Sequence, residues 1–229
     1  MMPFSLVIFG TAALYAAGGE AVSYHSNDDF PLTADPASPV WKSVRGVTFE
    51  HGRYGERVPG HLTEVRSRWT TANLYLLYVC PYESLYPKPG AAAAGETNEL
   101  WNWDVAELFI GSDFENIRRY KEFEVSPRGE WLDLSIELNP GGKHKIDWLW
   151  NSGFASRTRV DERNKTWYLE MRIPMSSLAE WKPEPGRAFR ANFYRIQGMP
   201  RKFLAWQPVN QDWFHRPEAF GKLVLAKQE

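Results

Sequence analysis

The sequence of 229 residues contains a single cysteine, Cys80, so no disulfide can form within the chain. It also lacks an excess of charge, because 27 Lys and Arg residues are balanced by 28 Asp and Glu residues. Binding to nucleic acid or to an anionic membrane is therefore not expected. Zinc-ligand spacings, a phosphate-binding glycine loop, a Ser/His/Asp order and internal repeats are missing too. These absences exclude several enzyme classes and leave a neutral single domain.

A hydrophobic run long enough to cross a membrane is also missing. The N-terminal run ends at Ala17, which makes it too short to span a bilayer. Small residues, including Gly19 and Ala21, follow it at the spacing of a secretory cleavage site, although no Lys or Arg precedes it. The pattern predicts a signal peptide over residues 1–21, a single domain over residues 22–229, and a secreted or periplasmic protein. A misassigned start or a first strand is the alternative.

After residue 21, short apolar or alternating segments are separated by turns that contain Pro and Gly. Such alternation is typical of half-buried antiparallel strands. Because only Met175–Glu180 looks helical, the fold class is predicted as all-β, an antiparallel two-sheet β-sandwich of immunoglobulin-like or jelly-roll-like type. The predicted strands are Val47–His51, Thr63–Trp69, Asn73–Pro81, Val105–Ile110, Tyr120–Ser126, Trp131–Ile136, Phe154–Val160, Thr166–Ile173, Arg190–Ile196, Phe203–Gln207 and Lys222–Ala226.

Aromatic residues, in contrast, are abundant, with 11 tryptophans in the chain. Trp101 and Trp103 precede a strand in which Glu107 stands between apolar neighbours. Flat rings stack on the C–H face of a sugar, and carboxylates and amides bind its hydroxyl groups. The stretch from Trp206 to Phe214 offers the same mixture. This composition favours a saccharide site, while any single ring could instead fill the core.

Three segments, WNWDVAELFIG, YKEFEVSPRGEW and FHRPEAFGKLVL, resemble the family 9 carbohydrate-binding modules. The resemblance runs from about Tyr24 to the end of the chain. It implies an antiparallel β-sandwich that holds a sugar, typically a chain end, between two tryptophans. It also implies non-catalytic binding of a polysaccharide or oligosaccharide in support of carbohydrate catabolism, with xylan among the substrates and polysaccharide-degrading enzymes as partners. The implied cofactor is none, apart from structural calcium.

The resemblance places one stacking tryptophan at Trp101 and a hydrogen-bonding glutamate at Glu107. The second stacking position falls on Phe214, with Trp213 one residue earlier. Where the family has an arginine, this chain has Glu124, which cannot donate hydrogen bonds. One of three nearby cations could take over that role, namely Arg118, Arg119 or Lys121. The candidate ligand-binding residues are Trp101, Trp103, Glu107, Asn210, Gln211, Trp213 and Phe214.

Three other functions stay open. A glycoside hydrolase needs two carboxylates roughly 5–10 Å apart, and the candidates, without diagnostic spacing, are Asp104, Glu107, Glu122, Glu124 and Asp133. A haem or metal domain would use histidines, but none has a partner at close ligand spacing among His25, His51, His61, His144 and His215. A diverged cleft could instead bind another protein. Calcium ligands stay unassigned, with three loose candidates, Asp28, Asp29 and Asp113.

Overall fold

The computed structural model describes residues 19–90, 95–139 and 143–227. The predicted signal peptide lies outside the described residues as far as residue 18, and so do residues 91–94 of the loop that follows Pro81. Among the described residues, no helix is long and apolar enough to cross a lipid bilayer.

Within these residues the chain is almost entirely strand and loop. The eleven predicted strands are confirmed, each with ends within two residues of the prediction. One four-residue helix, α1 (Met175–Leu178), and two single turns of 3-10 helix complete the regular structure. The strands are β1 (Glu20–His25), β2 (Val47–Phe49), β3 (Thr63–Trp69), β4 (Asn73–Pro81), β5 (Val105–Gly111), β6 (Arg119–Val125), β7 (Trp131–Glu137), β8 (Lys145–Asp147), β9 (Ala155–Asp161), β10 (Thr166–Pro174), β11 (Ala188–Gln197), β12 (Lys202–Ala205) and β13 (Gly221–Ala226).

The strands form one curled sheet in the order β8-β7-β6-β5-β11-β13-β1-β3-β4-β10-β9, with β12 beside β11 and β2 beside β3. The expectation of a purely antiparallel sheet is wrong, because β1 pairs in parallel with both β13 and β3. Strands joined by short turns must run antiparallel, whereas a parallel pair needs a long connection between its strands. β1 meets β13 from the other end of the chain, so local turn signals could not reveal the pairing.

Strand β5 is buried on both faces, and this fixes where the two main cores lie. Ala106, Leu108 and Ile110 join the larger core inside the curl of the sheet. Val105 and Phe109 point the other way, into a second apolar cluster that includes Tyr194. The side chain of Glu107 lies on that second face, because side chains alternate across a strand. The glutamate is therefore directed away from the larger core.

A long irregular segment between β1 and β2 is tied down by one carboxylate. Glu170, fully buried on β10, accepts hydrogen bonds from the backbone N–H groups of Thr33 (2.6 Å) and Ala34 (2.7 Å). Its other oxygen accepts one from Nε1 of Trp41 at 2.8 Å. Hydrogen bonds to a charged group are among the stronger ones in proteins, so Glu170 anchors the opening segment on the sheet.

Candidate functional site

A cleft of about 440 Å³ opens on the face of the sheet that carries Glu107. Strands β5, β6, β7 and β11 form its floor, and the loops before β5, after β8 and before β13 form its walls. Its volume lies within the range of about 300–1,000 Å³ that is usual for small-molecule sites. The residues that line it are Arg53, Trp101, Asn102, Glu107, Phe109, Glu122, Leu134, Ile146, Trp148, Ile196, Arg201, Phe203, Asp212, Trp213, Phe214 and His215.

Three tryptophans from separate loops line this cleft. Trp101 lies on the single 3-10 turn before β5, and its ring centroid is 6.1 Å from that of Trp148, with the planes tilted by 45°. Trp213 is 46% exposed and has its ring 4.3 Å from that of His215. The structure thus brings the two predicted stacking residues Trp101 and Trp213 to one cleft and adds Trp148, which sequence reasoning missed. Trp148 lies in a loop with no pattern that could have identified it.

Phe214, the other candidate for the second stacking position, has a different environment. It is only 7% exposed, and its ring stacks on Tyr194 at 4.1 Å with an interplanar angle of 13°. The Tyr194 hydroxyl donates a hydrogen bond to the Phe214 carbonyl oxygen at 3.1 Å. Phe214 therefore packs the base of the cleft, while the adjacent Trp213 presents an open ring to it.

The three remaining candidates do not line the cleft. Gln211 donates its side-chain amide to the Trp213 carbonyl oxygen at 2.8 Å and lines a neighbouring depression. Asn210 is exposed, with a φ of 54°, and its backbone N–H donates to the Arg53 carbonyl oxygen. Trp103 follows the 3-10 turn and is absent from the lining. Asn210 and Gln211 thus shape the loop that carries Trp213.

Two arginines, Arg53 and Arg201, bring hydrogen-bond donors to the rim of the cleft. Arg53 donates to Oδ1 of Asp212 at 2.9 Å, and Arg201 donates to Oδ1 of Asn102 at 3.1 Å. Both guanidinium groups lie over the ring of Phe203, at 4.3 Å and 5.3 Å. Both arginines come from loops that are far from β6 in the sequence. A search for a replacement cation near Glu124 in the sequence could therefore not identify them.

The three cations named from the sequence contact other groups. Lys121 points to the opposite face of β6, where it donates to Oγ of Ser135 at 2.6 Å and lies over the ring of Trp150. Arg119 forms an ion pair with Glu137. Arg118 lines the neighbouring depression outside the cleft.

Three glutamates meet at the floor of the cleft, where two of them, Glu107 and Glu122, line it and the third, Glu124, is fully buried beside them. Glu107 on β5 stands directly opposite Glu124 on β6, and Glu122 lies two residues along β6 on the same face. Their exposures are 2%, 0% and 4% in that order. A carboxylate oxygen from each lies within 4.8 Å of the others. Like charges directly opposite in a sheet are destabilising, so this arrangement calls for protonation or a bound cation.

The pKa values of this glutamate cluster (Glu107, Glu122 and Glu124) are all raised. Burial raises the pKa of Glu107 well above its usual value, and the Glu122 charge adds to the effect. Burial raises the pKa of Glu122 to about 7. For Glu124 the pKa is again well above usual, first through burial and then through the charges of its two neighbours. Desolvation and like charges both disfavour the ionised form.

One histidine adjoins the cluster. His215 Nε2 is 3.9 Å from Oε2 of Glu122, and its Nδ1 is 2.7 Å from the hydroxyl of Tyr120. Burial lowers the pKa of His215 to about 3, with a further contribution from His144. His215 is therefore neutral at physiological pH and does not offset the carboxylate charges. Its position on the cleft was not expected from the sequence.

Two of the three loose calcium candidates, Asp29 and Asp113, accept hydrogen bonds from protein donors. The carboxylate of Asp29 accepts hydrogen bonds from Thr70, Asn73 and Tyr75. Asp113 caps its own loop by accepting two backbone N–H groups, and Asp28 is exposed. In the part of the chain that the structure describes, the glutamate cluster is the one group of three His, Cys, Asp or Glu side chains spaced to hold a metal ion.

Comparison with known proteins gives a family match over most of the chain. A family model described as "Carbohydrate family 9 binding domain-like" matches residues 36–228. Among curated proteins, the chain is 27% identical over 144 residues to one named "Extracellular protein" from Arthroderma benhamiae. That match covers 56% of this chain and 64% of the relative, so the chain spans less than two thirds of the relative's length.

Solved structures share the fold at low sequence identity. A protein described as a candidate carbohydrate-binding protein, from Bacteroides uniformis, superposes with a TM-score of 0.68 at 18% identity, covering 91% of this chain and 100% of that one. A family 9 carbohydrate-binding module from Caldicellulosiruptor kristjanssonii in complex with glucose gives a TM-score of 0.60 at 16% identity, covering 91% and 97% of the two chains. A family 9 carbohydrate-binding module from the same organism in complex with cellotriose gives a TM-score of 0.59 at 16% identity, covering 91% and 95% of the two chains.

Proposed function

Because the chain belongs to the carbohydrate family 9 binding domain-like family, we propose that it binds a saccharide in the cleft without cleaving it. The observation that carries this proposal is the convergence of Trp101, Trp148 and Trp213 on one cleft whose floor carries two glutamates. Indole faces suit the C–H faces of a pyranose ring, and the rim arginines and floor carboxyls suit its hydroxyl groups. The fold neighbours in complex with glucose and with cellotriose support a glucose-type ligand.

In the proposed binding mode, Trp101 and Trp213 stack on the sugar, and Trp148 extends the aromatic wall beside Trp101. Arg53 and Arg201 donate hydrogen bonds to hydroxyl groups at the rim. Phe214 supports the site from below through its stacking on Tyr194. Glu107 is directed into the cleft floor, which accounts for a carboxylate on a strand that is buried on both faces.

A binding role is favoured over a hydrolytic one by the placement of the floor carboxyl groups. A glycosidase has two carboxyl groups on opposite sides of the scissile bond, roughly 5–10 Å apart. Here Glu107, Glu122 and Glu124 occupy adjacent positions of one sheet, with an oxygen of each within 4.8 Å of the others. Two other carboxylates once considered as catalysts serve the fold, because Asp104 accepts hydrogen bonds from Gly198 N–H and Gln197, and Asp133 from Ser152.

The finer parts of the proposal concern where the protein works and on what. We infer that it is exported, as the N-terminal sequence pattern predicts, and the name "Extracellular protein" of the Arthroderma relative supports this. We further infer that it recognises a polysaccharide or oligosaccharide, at a chain end, and assists polysaccharide-degrading enzymes in carbohydrate catabolism. Xylan and cellulose fragments are the ligands to try first.

Calorimetric titration of the full chain with cello-, xylo- and manno-oligosaccharides tests the proposal. Each sugar is compared with its borohydride-reduced form, and loss of binding on reduction would establish chain-end recognition. Trp101→Ala should lose roughly 2 kcal/mol of binding free energy if the ring is a central contact. The matched control is Trp103→Ala, which removes a tryptophan two residues away that does not line the cleft. The proposal is wrong if no sugar binds, or if the two variants weaken binding equally.

A further inference from the structure

Burying three carboxyl groups together costs folding free energy, and a saccharide site alone does not require this arrangement. Oε1 of Glu107 and Oε2 of Glu122 are buried without a hydrogen-bond partner, and the buried oxygens of Glu124 have only the Glu122 carboxyl group and the Trp101 backbone N–H near them. In most proteins nearly all buried polar atoms have a partner, and a buried carboxylate is costly unless it is paired or coordinates a metal. Among the described residues, no Lys or Arg side chain forms an ion pair with any member of the cluster. The unpartnered oxygens therefore point to a ligand.

The spacing of the three carboxyl groups fits a single ion. One oxygen from each lies within 4.8 Å of the others. Calcium–oxygen distances are about 2.3–2.6 Å, so two oxygens on opposite sides of one ion are roughly 5 Å apart. Hard divalent cations prefer such carboxylate oxygens, and three of them carry enough charge to hold one.

The full burial of Glu124 favours a bare ion over a larger cationic ligand such as an amino sugar. Glu124 is fully buried and does not line the cleft, whereas Glu107 and Glu122 do. The ammonium group of an amino sugar, carried on a pyranose ring, could reach the two lining glutamates but not the oxygens of Glu124. An ion seated among the three carboxylates can reach an oxygen of each, because those oxygens lie within 4.8 Å of one another.

We propose that Glu107, Glu122 and Glu124 bind a divalent cation that prefers oxygen ligands, Ca²⁺ or Mn²⁺, at the floor of the cleft. His215, with its neutral Nε2 3.9 Å from Oε2 of Glu122, adjoins the same position. Tyr120 hydrogen-bonds the other ring nitrogen and fixes the orientation of the imidazole. The proposal of a cation site depends only on the three glutamates and not on saccharide binding.

The site has a consequence that rests on the proposed function. Glu107 and Glu122 share the cleft with Trp101, Trp148 and Trp213. A cation held between these carboxylates lies beneath the position that a stacked sugar ring would occupy, where sugar hydroxyl oxygens can complete its coordination. Saccharide binding is then cation-dependent. In this binding mode, the cation held by Glu124 and its neighbours replaces the guanidinium group of the arginine that the family has at this position.

The first experiment measures the ion without any sugar. The full chain is stripped with EDTA and titrated with CaCl₂ and with MnCl₂ by calorimetry, and Mn²⁺ binding is followed by electron paramagnetic resonance. We expect about one ion per chain, at least tenfold weaker binding in Glu122→Gln and Glu124→Gln, and a rise in melting temperature with the ion. The control is Glu137→Gln, which neutralises a glutamate of the adjacent strand that is paired with Arg119 outside the cluster.

The outcomes separate the two proposals. The cation site is overturned if the stripped wild-type protein binds neither ion. It is also overturned if folded Glu124→Gln and Glu122→Gln bind the ions as tightly as wild type does. In either case, protons shared among the three glutamates would be what stabilises the cluster. Circular dichroism establishes that each variant is folded. Titration with cellotriose in EDTA and in each metal completes the test. Equal binding in all conditions would overturn cation dependence, whereas ion binding without any sugar binding would overturn the proposed function and leave the cation site standing.

Discussion

Replacing Glu124 by Gln should stabilise the metal-free protein at neutral pH, although it removes a residue from the candidate site. Gln has nearly the same shape as Glu and no charge, so the variant removes repulsion without opening a cavity. The cluster oxygens lie within 4.8 Å of one another. At an effective dielectric constant of about 20, two charges at that distance repel by roughly 3 kcal/mol. Because the raised pKa values keep the cluster partly protonated, we expect a gain of about 1–3 kcal/mol.

The gain should depend on pH in a defined direction. The pKa of Glu122 is raised from 4.5 to about 7, and burial raises those of Glu107 and Glu124 as well. A carboxyl group whose pKa is higher in the folded state stabilises the fold fully below its unfolded value, and that contribution is lost as pH rises through the folded value. Metal-free wild type should therefore lose stability as pH rises from about 4.5 through 7 and above, and Glu124→Gln should lose less.

Urea unfolding in EDTA, followed by tryptophan fluorescence across this pH range, measures both effects. The matched control is again Glu137→Gln, whose exposed partner Arg119 makes the expected change small. Addition of Ca²⁺ or Mn²⁺ should reverse the order of stability, because the ion stabilises wild type and finds no complete site in Glu124→Gln. The reasoning is refuted if Glu124→Gln is less stable than wild type in EDTA at every pH, since Glu124 would then be making a hydrogen bond that Gln cannot replace.

Three further predictions concern the rest of the fold. Trp213→Ala should change the free energy of unfolding by less than about 1 kcal/mol but abolish saccharide binding. Phe214→Ala should instead lower the free energy of unfolding by about 3–5 kcal/mol, because only Phe214 is buried and stacked. Urea unfolding measures the stability of both variants, and calorimetry measures their saccharide binding. Glu170→Gln should cost roughly 2–4 kcal/mol in urea unfolding, because it weakens the charge-assisted hydrogen bonds that hold the segment through Trp41. Burial raises the pKa of the Cys80 thiol to about 11, so a thiol-specific reagent should label this cysteine only as the protein unfolds.

Specific results would contradict each of these. Equal destabilisation by Trp213→Ala and Phe214→Ala would mean that both rings serve packing. An unchanged urea midpoint in Glu170→Gln would mean that the opening segment is held by its apolar contacts. Rapid labelling of Cys80 in the native protein, at a rate independent of urea, would mean that the inner core opens far more readily than its packing implies.

The strands could be predicted from the sequence because their patterns are local. Thr63–Trp69 alternates in burial as its residues alternate in polarity, and β4 is apolar on both faces and buried on both. Two strands were not predicted, for different reasons. β8 has three residues without an apolar pattern, and β1 was assigned in part to the signal peptide. Parallel pairing of β1 depends on tertiary structure that no local signal reports.

The site could be predicted only where the resemblance supplied positions. Trp101, Glu107 and Trp213 lie at one cleft, whereas Asn210 and Gln211 were chosen by residue type and turn out to shape a loop. Trp148, Arg53 and Arg201 were not found, because loops far apart in sequence carry them to the cleft. The glutamate cluster was partly accessible from the sequence, because alternation places Glu122 and Glu124 on one face of β6. The sequence could not predict the pairing register of β5 and β6, which places Glu124 opposite Glu107.

The parallel strand β1 has a consequence for how the chain is completed during synthesis. Along the main path of the sheet, β1 and β13 join the half that carries the cleft to the half formed by β3, β4, β10 and β9. Five rungs, from Glu20 against Lys222 to Tyr24 against Ala226, form that joint. Of the strands that the structure describes, β1 is the first to be synthesised and β13 is the last. The sheet can therefore close only once β13 has been made, and until then the nascent chain stays open along the seam between its two halves.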